Sequence, residues 1–266
     1  SKLYKNYSKP VIEGKDLAVF NVNEEVDLLQ GITATDYEDG NLTSKINVKT
    51  DYEKGKVGIF DVVYSVTDSD NLTTEFTRKL AITDEETYVS DLEWKSATIG
   101  SGAIGKDKSV RQQPIKLLNE NGTYDTFKKG IGTHSYSEIV YDSTGYDIFD
   151  TWVGLDEFVS NQSEASVVFK VYVDGKLKAE TDVMKSNSPK QRLMVDVRNS
   201  NEVKLVVDSA TNGITWDHAD WAEARFRNIA KFNTAKLEEV LTKAENINLN
   251  NYTQESIERL ENAINV

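Results

Sequence analysis

Apolar and polar residues alternate with a period of two over most of the chain as far as Arg227, and then shift to a helical spacing. From Val57 to Asp68, Phe60, Val62, Tyr64 and Val66 alternate with Asp61, Ser65 and Thr67, as in a half-buried strand. Phe76, Leu80 and Ile82 carry the alternation into the next strand. Asp39-Gly40, Lys54-Gly55 and the run Thr67 to Asn71 supply turn chemistry between strands. The stretch up to Glu86 contains no useful amphipathic helix and predicts a small antiparallel sandwich.

A second strand-rich stretch runs from Thr87 to Arg227. Val167, Phe169, Val171 and Val173 form one inward row, and Asp174-Gly175 predicts a hairpin back through Leu177. Val203, Leu205 and Val207 form another row. From Trp221 onwards, Ala222, Ala224 and Phe226 alternate with Glu223 and Arg225, predicting a closing strand with the first set inward. Beyond it, Thr234 and Thr253 are N-cap residues for two helices, with Leu237, Val240, Leu241 and Ala244 on one face and Ile257, Leu260 and Ile264 on the other. The division expected is 1–86, 87–227 and 228–266.

The net charge of -13 disfavours nucleic acid and anionic lipid as partners, since both repel an acidic surface. No stretch reaches the roughly 18 apolar residues of a membrane helix, so membrane insertion is not expected. With no cysteine in 266 residues, the chain does not follow the disulfide-rich ectodomain style and fits a Gram-positive exoprotein. It opens on Ser1-Lys2-Leu3-Tyr4 without a signal peptide and reads as a piece cut from a larger secreted or cell-wall-attached protein.

Three resemblances sharpen this division. Lys9 to Gly14, the run Gly31 to Thr43 and Tyr64 to Asp68 resemble bacterial immunoglobulin-like domains of the DUF5011 type, which implies a spacer. Tyr88 to Trp94, Gly105 to Val110, Lys129 to Ser135, Ser137 to Asp142, Val153 to Asp156 and Trp216 to Phe226 resemble the NPCBM family, carbohydrate-binding module family 51. Leu237, Ala244, Tyr252-Thr253, Ser256, Leu260 and Ala263 resemble the start of a FIVAR module. The fold class expected is therefore all-β: an immunoglobulin-like sandwich, then a galactose-binding-like jelly roll, with a short C-terminal α-helical segment. The NPCBM resemblance implies binding of terminal galactose, N-acetylgalactosamine or blood-group-type host glycans. It also implies a parent chain bearing other modules, among them a glycoside hydrolase or a mucin-directed metallopeptidase. Ile99 to Gly105 departs from the glycine-rich stretch that the family often carries after its first strand.

A sugar site needs a ring for the C–H face of the sugar and planar polar groups for its hydroxyls. All four tryptophans and both histidines lie in the second stretch. Trp94, Trp152 and Trp221 fall on strand patterns and are expected in the core, whereas Trp216 follows Gly213 on a loop. His134, Trp216 and His218 are the first candidates for the sugar, and Asp156, Glu157 and Asp220 the second. By analogy with related jelly rolls, Asp107 and Glu223 are the candidates for a structural calcium ion, which favours carboxylate oxygens. The cluster Asp36, Glu38 and Asp39 is better read as turn chemistry than as a second calcium site.

No HExxH, GxSxG, phosphate-binding glycine loop or cysteine nucleophile is present. The stretches leave no room for a glycosidase barrel of roughly 250 residues. The chain is expected to be a non-catalytic binding module. The competing expectation is a structural or adhesive spacer whose jelly roll has lost its sugar site.

Overall fold

The computed structural model describes residues 7–210 and 213–229. The FIVAR-like helices expected from Thr234 onwards lie outside the described residues.

The first module is built on the strand Gly58–Thr67, which pairs antiparallel with Thr73–Thr83 and with Asn47–Thr50. Val62, Tyr64 and Val66 point inward as their alternation requires. A second, three-stranded layer is made by Val11–Glu13, Thr33–Asp36 and Gly40–Asn41. The sandwich is not wholly antiparallel as expected: Leu17–Asn21 runs parallel to Thr73–Thr83. A parallel neighbour needs a long crossover, which local alternation does not reveal. Asp36 caps its own turn by accepting hydrogen bonds from the backbone N–H groups of Glu38 and Asp39.

The second module is a two-sheet jelly roll. One sheet orders Gly105–Lys106, Gly130–His134, His218–Asn228, Ile148–Leu155 and Gln191–Asp196. The other orders Lys176–Glu180, Ser166–Val173, Glu202–Ser209, Ser137–Asp142 and Ser96–Thr98. Between them, Val167, Phe169 and Val171 meet Trp221, Phe226 and Phe149 in one apolar core. Trp221 is fully buried and stands edge-on to Phe169, ring centroids 5.0 Å apart.

Two of the expected inward positions turn the other way. Ala222 leaves the main core and joins Ile115 and Leu117 on the outer face, under the hairpin formed by Ile115–Leu118 and Tyr124–Phe127. The cause is a β-bulge: Glu223 adopts φ 49° and the register against Ile148–Leu155 shifts between Asp150 and Trp152, which reverses the alternation there. Trp152 is likewise only partly buried, packed against that outer cluster with Lys190 4.3 Å above its ring.

The two modules are joined without a loose linker. Glu85–Tyr88 pairs directly with the end of His218–Asn228. Asp150, 1% exposed, receives guanidinium hydrogen bonds from Arg192, Arg225 and Arg227, and Arg227 reaches back to Thr83 Oγ1 at 3.4 Å. Burial alone would raise the Asp150 pKa, but the three guanidiniums outweigh it and hold the carboxyl well below its usual range. Val19 and Ala81 of the first module pack with Ile148 of the second.

Candidate functional site

The site grows from the cross-strand pair His134 and His218, which are direct partners between Gly130–His134 and His218–Asn228. Their rings stand 5.2 Å apart, and each residue is only 7% exposed. Gly132, two pairs further in, allows the loop that carries Ser109 to lie on this strand: a Cβ there would come within 2.3 Å of Ser109 Cα. That loop brings Arg111 to the site.

Trp216 precedes the closing strand in a turn and is 39% exposed. Its φ of 63° places a bulky residue in the left-handed region, a conformation costing on the order of 1–3 kcal/mol that only a well-braced turn maintains. The brace is Asp217, fully buried, whose carboxylate accepts hydrogen bonds from Ser135 Oγ and from the Ser166 N–H. The His218 N–H also donates to the Trp216 carbonyl at 2.8 Å. Trp216 and His218 then sit 6.3 Å apart, centroid to centroid.

Phe158, which the sequence reading did not single out, completes the group. It stacks on His218 at 5.3 Å with 8° between planes, and Arg111 lies 4.7 Å over its ring. The signal was present in Asp156-Glu157-Phe158: Asp156 N-caps the short 3-10 turn Glu157–Val159 by accepting from the Phe158 N–H at 3.0 Å, and so presents the ring. Phe158 is 49% exposed, and with Trp216 it gives the site two exposed rings within 6.3 Å of His218.

The remaining candidates take different places. Asp156 and Asp220 lie beneath the surface, and neither Asp220 oxygen nor Asp156 Oδ2 meets an N–H or O–H donor. Burial first, then the neighbouring Asp156, pushes the Asp220 carboxyl up. Glu157 is turned away to Lys116, 2.7 Å from its ammonium. Burial first, then the neighbouring His134 and Arg111, pulls the His218 pKa down to about 4, so its imidazole is neutral at pH 7.

Asp107 and Glu223 flank Lys129. The Glu223 N–H donates to the Lys129 carbonyl, and Asp107 accepts from the Gly130 N–H at 3.1 Å. The fit to calcium is incomplete: the cation beside Asp107 is the Lys129 ammonium, 2.7 Å from Oδ2 and also paired with Asp91. Among the described residues no three acidic or histidine side chains gather as a metal-holding group.

The NPCBM/NEW2 domain family matches residues 85–227, the whole of the jelly roll. The chain belongs to this family. A bacterial surface protein immunoglobulin-like domain matches residues 11–82, as the resemblance of the first stretch to bacterial immunoglobulin-like domains implied. Comparison with curated proteins gives no match. Among solved structures, CBM51-2 in complex with GlcNAc and INT domains from Clostridium perfringens ZmpB is 60% identical, with a TM-score of 0.80. The match covers 97% of this chain and 56% of that one. The M60 catalytic domain with the CBM51-1 and CBM51-2 domains of the same protein is 64% identical, with a TM-score of 0.81, over 84% of this chain and 23% of that one. CBM51 from Clostridium perfringens GH95, in complex with methyl-galactose, is 38% identical, with a TM-score of 0.52, over 53% of this chain and 99% of that one. The chain thus spans little more than half of the first of these structures and about a quarter of the second. This NPCBM domain is a non-catalytic carbohydrate-binding module, and in the ZmpB structure the catalytic part is a separate domain.

Proposed function

We propose that the jelly roll binds the terminal sugar of host glycans at the Trp216, His218 and Phe158 face, within a secreted or cell-wall-attached bacterial enzyme of several modules. The observation that carries this reading is the ring arrangement: Trp216 and Phe158, both exposed, lie close to the buried His218 imidazole, with Arg111 over the Phe158 ring. The rings offer apolar faces for the C–H side of a pyranose, and the imidazoles and Arg111 offer directional hydrogen bonds to its hydroxyls. Galactose and N-acetylgalactosamine are the sugars that the family resemblance implies, and the GlcNAc-bound relative adds N-acetylglucosamine. A one-sugar site buries little surface, so affinities of roughly -4 to -8 kcal/mol are expected. The first module acts as a spacer for this face, since it holds neither tryptophan nor histidine.

Isothermal titration of the chain and of Trp216→Ala against the three sugars and blood-group oligosaccharides tests the reading. Saturable heat with the chain and none with the variant is expected. Flat titrations with every sugar would leave only the spacer reading.

Calcium remains a proposal at Asp107 and Glu223. It is supported by the two left-handed residues, Asp107 at φ 60° and Glu223 at φ 49°, on either side of the Lys129 backbone. Binding there requires the Lys129 ammonium to leave Asp107.

A further inference from the structure

A cleft of about 610 Å³ lies between the two modules, away from the ring cluster. That is within the roughly 300–1,000 Å³ of small-molecule sites. Its walls come from both modules: Lys15, Phe20 and Arg78 on one side, Trp152, Lys190 and Arg192 on the other. In a chain of net charge -13, four basic side chains line it against one carboxylate, Glu120.

Two of these cations have no acidic partner. Lys190 pairs with Asp125 and Arg192 with Asp150, but among the described residues no ion pair joins Lys15 or Arg78 to a carboxylate. Lys15 donates instead to the Arg192 backbone carbonyl, and burial, then the Arg192 charge, pushes its amine down. Arg78 is 4% exposed; its Nη atoms donate to the carbonyls of Gln30 and Leu28, and its Nε finds no acceptor. A buried cation left without an anion is costly, and an incoming carboxylate or sulfate relieves that cost while excluding neutral competitors. The apolar wall of Leu17, Phe20 and Met194 suits the hydrocarbon face of a sugar ring.

We propose that this junction is a second saccharide site, selective for acidic sugars, whose carboxylate or sulfate sits among Lys15, Lys190 and Arg78. It exists only where the immunoglobulin-like module is docked, so that module supplies half of a binding site as well as a spacer. The proposal goes beyond the neutral-sugar face and does not depend on it.

The test is calorimetric titration of the whole chain with N-acetylneuraminic acid, with galactose 6-sulfate and with galactose. At least one acidic sugar is expected to bind, and which one does tells carboxylate from sulfate recognition. Lys15→Met should weaken that binding about tenfold, the loss of one charge-assisted contact. Added salt should weaken it as well. Trp216→Ala should leave it unchanged while removing galactose binding. Lys190→Gln serves as a second probe if Lys15→Met alters the circular dichroism spectrum. Flat titrations with both acidic sugars overturn the proposal. So does full binding in the soluble variants, or loss of acidic-sugar binding in Trp216→Ala, which would move it to the ring face. Flat titrations with galactose and GlcNAc alone count against the neutral-sugar site only.

Discussion

The ring of Phe158 lies parallel to that of His218, 5.3 Å between centroids, although one belongs to a 3-10 turn and the other to the closing strand. The stack fixes which way both rings face. Phe158→Ala is expected to weaken sugar binding about tenfold, at the level of one ring contact of about 1.4 kcal/mol. Because the ring is half exposed, the melting temperature should change little. Titration and a thermal melt of the same preparation check both halves, and unchanged affinity would remove Phe158 from the site.

Trp216 and Trp221 separate binding from stability. Trp216→Ala should remove roughly 1–3 kcal/mol of sugar affinity and leave folding intact. Trp221→Ala empties a fully buried position among Phe169 and its neighbours and should cost roughly 3–5 kcal/mol of stability. Denaturant unfolding of both variants checks this, and the reverse pattern would mean that the two indoles have exchanged roles.

His218 makes acid destabilising. Its folded pKa of about 4 lies below the ordinary 6.5, so between these values the unfolded chain takes up a proton that the folded chain refuses. The stability this contributes is complete above about pH 6.5 and is lost as pH falls towards 4. His218→Asn should flatten that loss, seen as a smaller drop in melting temperature between pH 7 and pH 5 than in the parent chain. Equal drops in the two proteins would contradict it.

The sequence carried the inward rows well, because Val167, Phe169, Val171 and Val173 repeat at the strand period and all are buried. It placed Trp216 on a loop for a different reason, its position after Gly213, and the ring is 39% exposed in a turn. It misled at Ala222, where the bulge at Glu223 reverses the alternation, and at Trp152, whose outer face is covered by a hairpin distant in sequence. Phe158 was hidden because its importance depends on a cross-chain stack, and Asp150 because nothing local distinguishes one buried aspartate among 44 acidic residues.

Asp220 has the opposite pH dependence to His218. Its carboxyl is raised by burial first and then by Asp156, so the folded chain keeps a proton that the unfolded chain gives up, and stability falls as pH rises above the ordinary carboxylate range. Asp220→Asn should gain stability relative to the parent chain as pH is raised from 5 to 8. Chemical denaturation at the two pH values measures it, and a variant destabilised equally at both would show that the ionised carboxylate is needed.

Calcium added to chelator-treated protein should raise the melting temperature, by up to about 2.7 kcal/mol of linkage at a hundredfold excess over Kd. Glu223→Gln and Asp107→Asn should each blunt the rise. An unchanged melt in the parent chain would assign the region to Lys129 alone.

The anchoring of Arg227 on both Asp150 and Thr83 has a consequence for any longer chain that contains this pair of modules. The sugar-binding face cannot swivel freely against the strands that precede it, so its bearing is set before any glycan arrives. A neighbouring domain attached ahead of the first module would inherit a fixed line of approach to whatever the second one grips. Selectivity among crowded glycans would then come partly from angle, a property that no binding constant for a free sugar records.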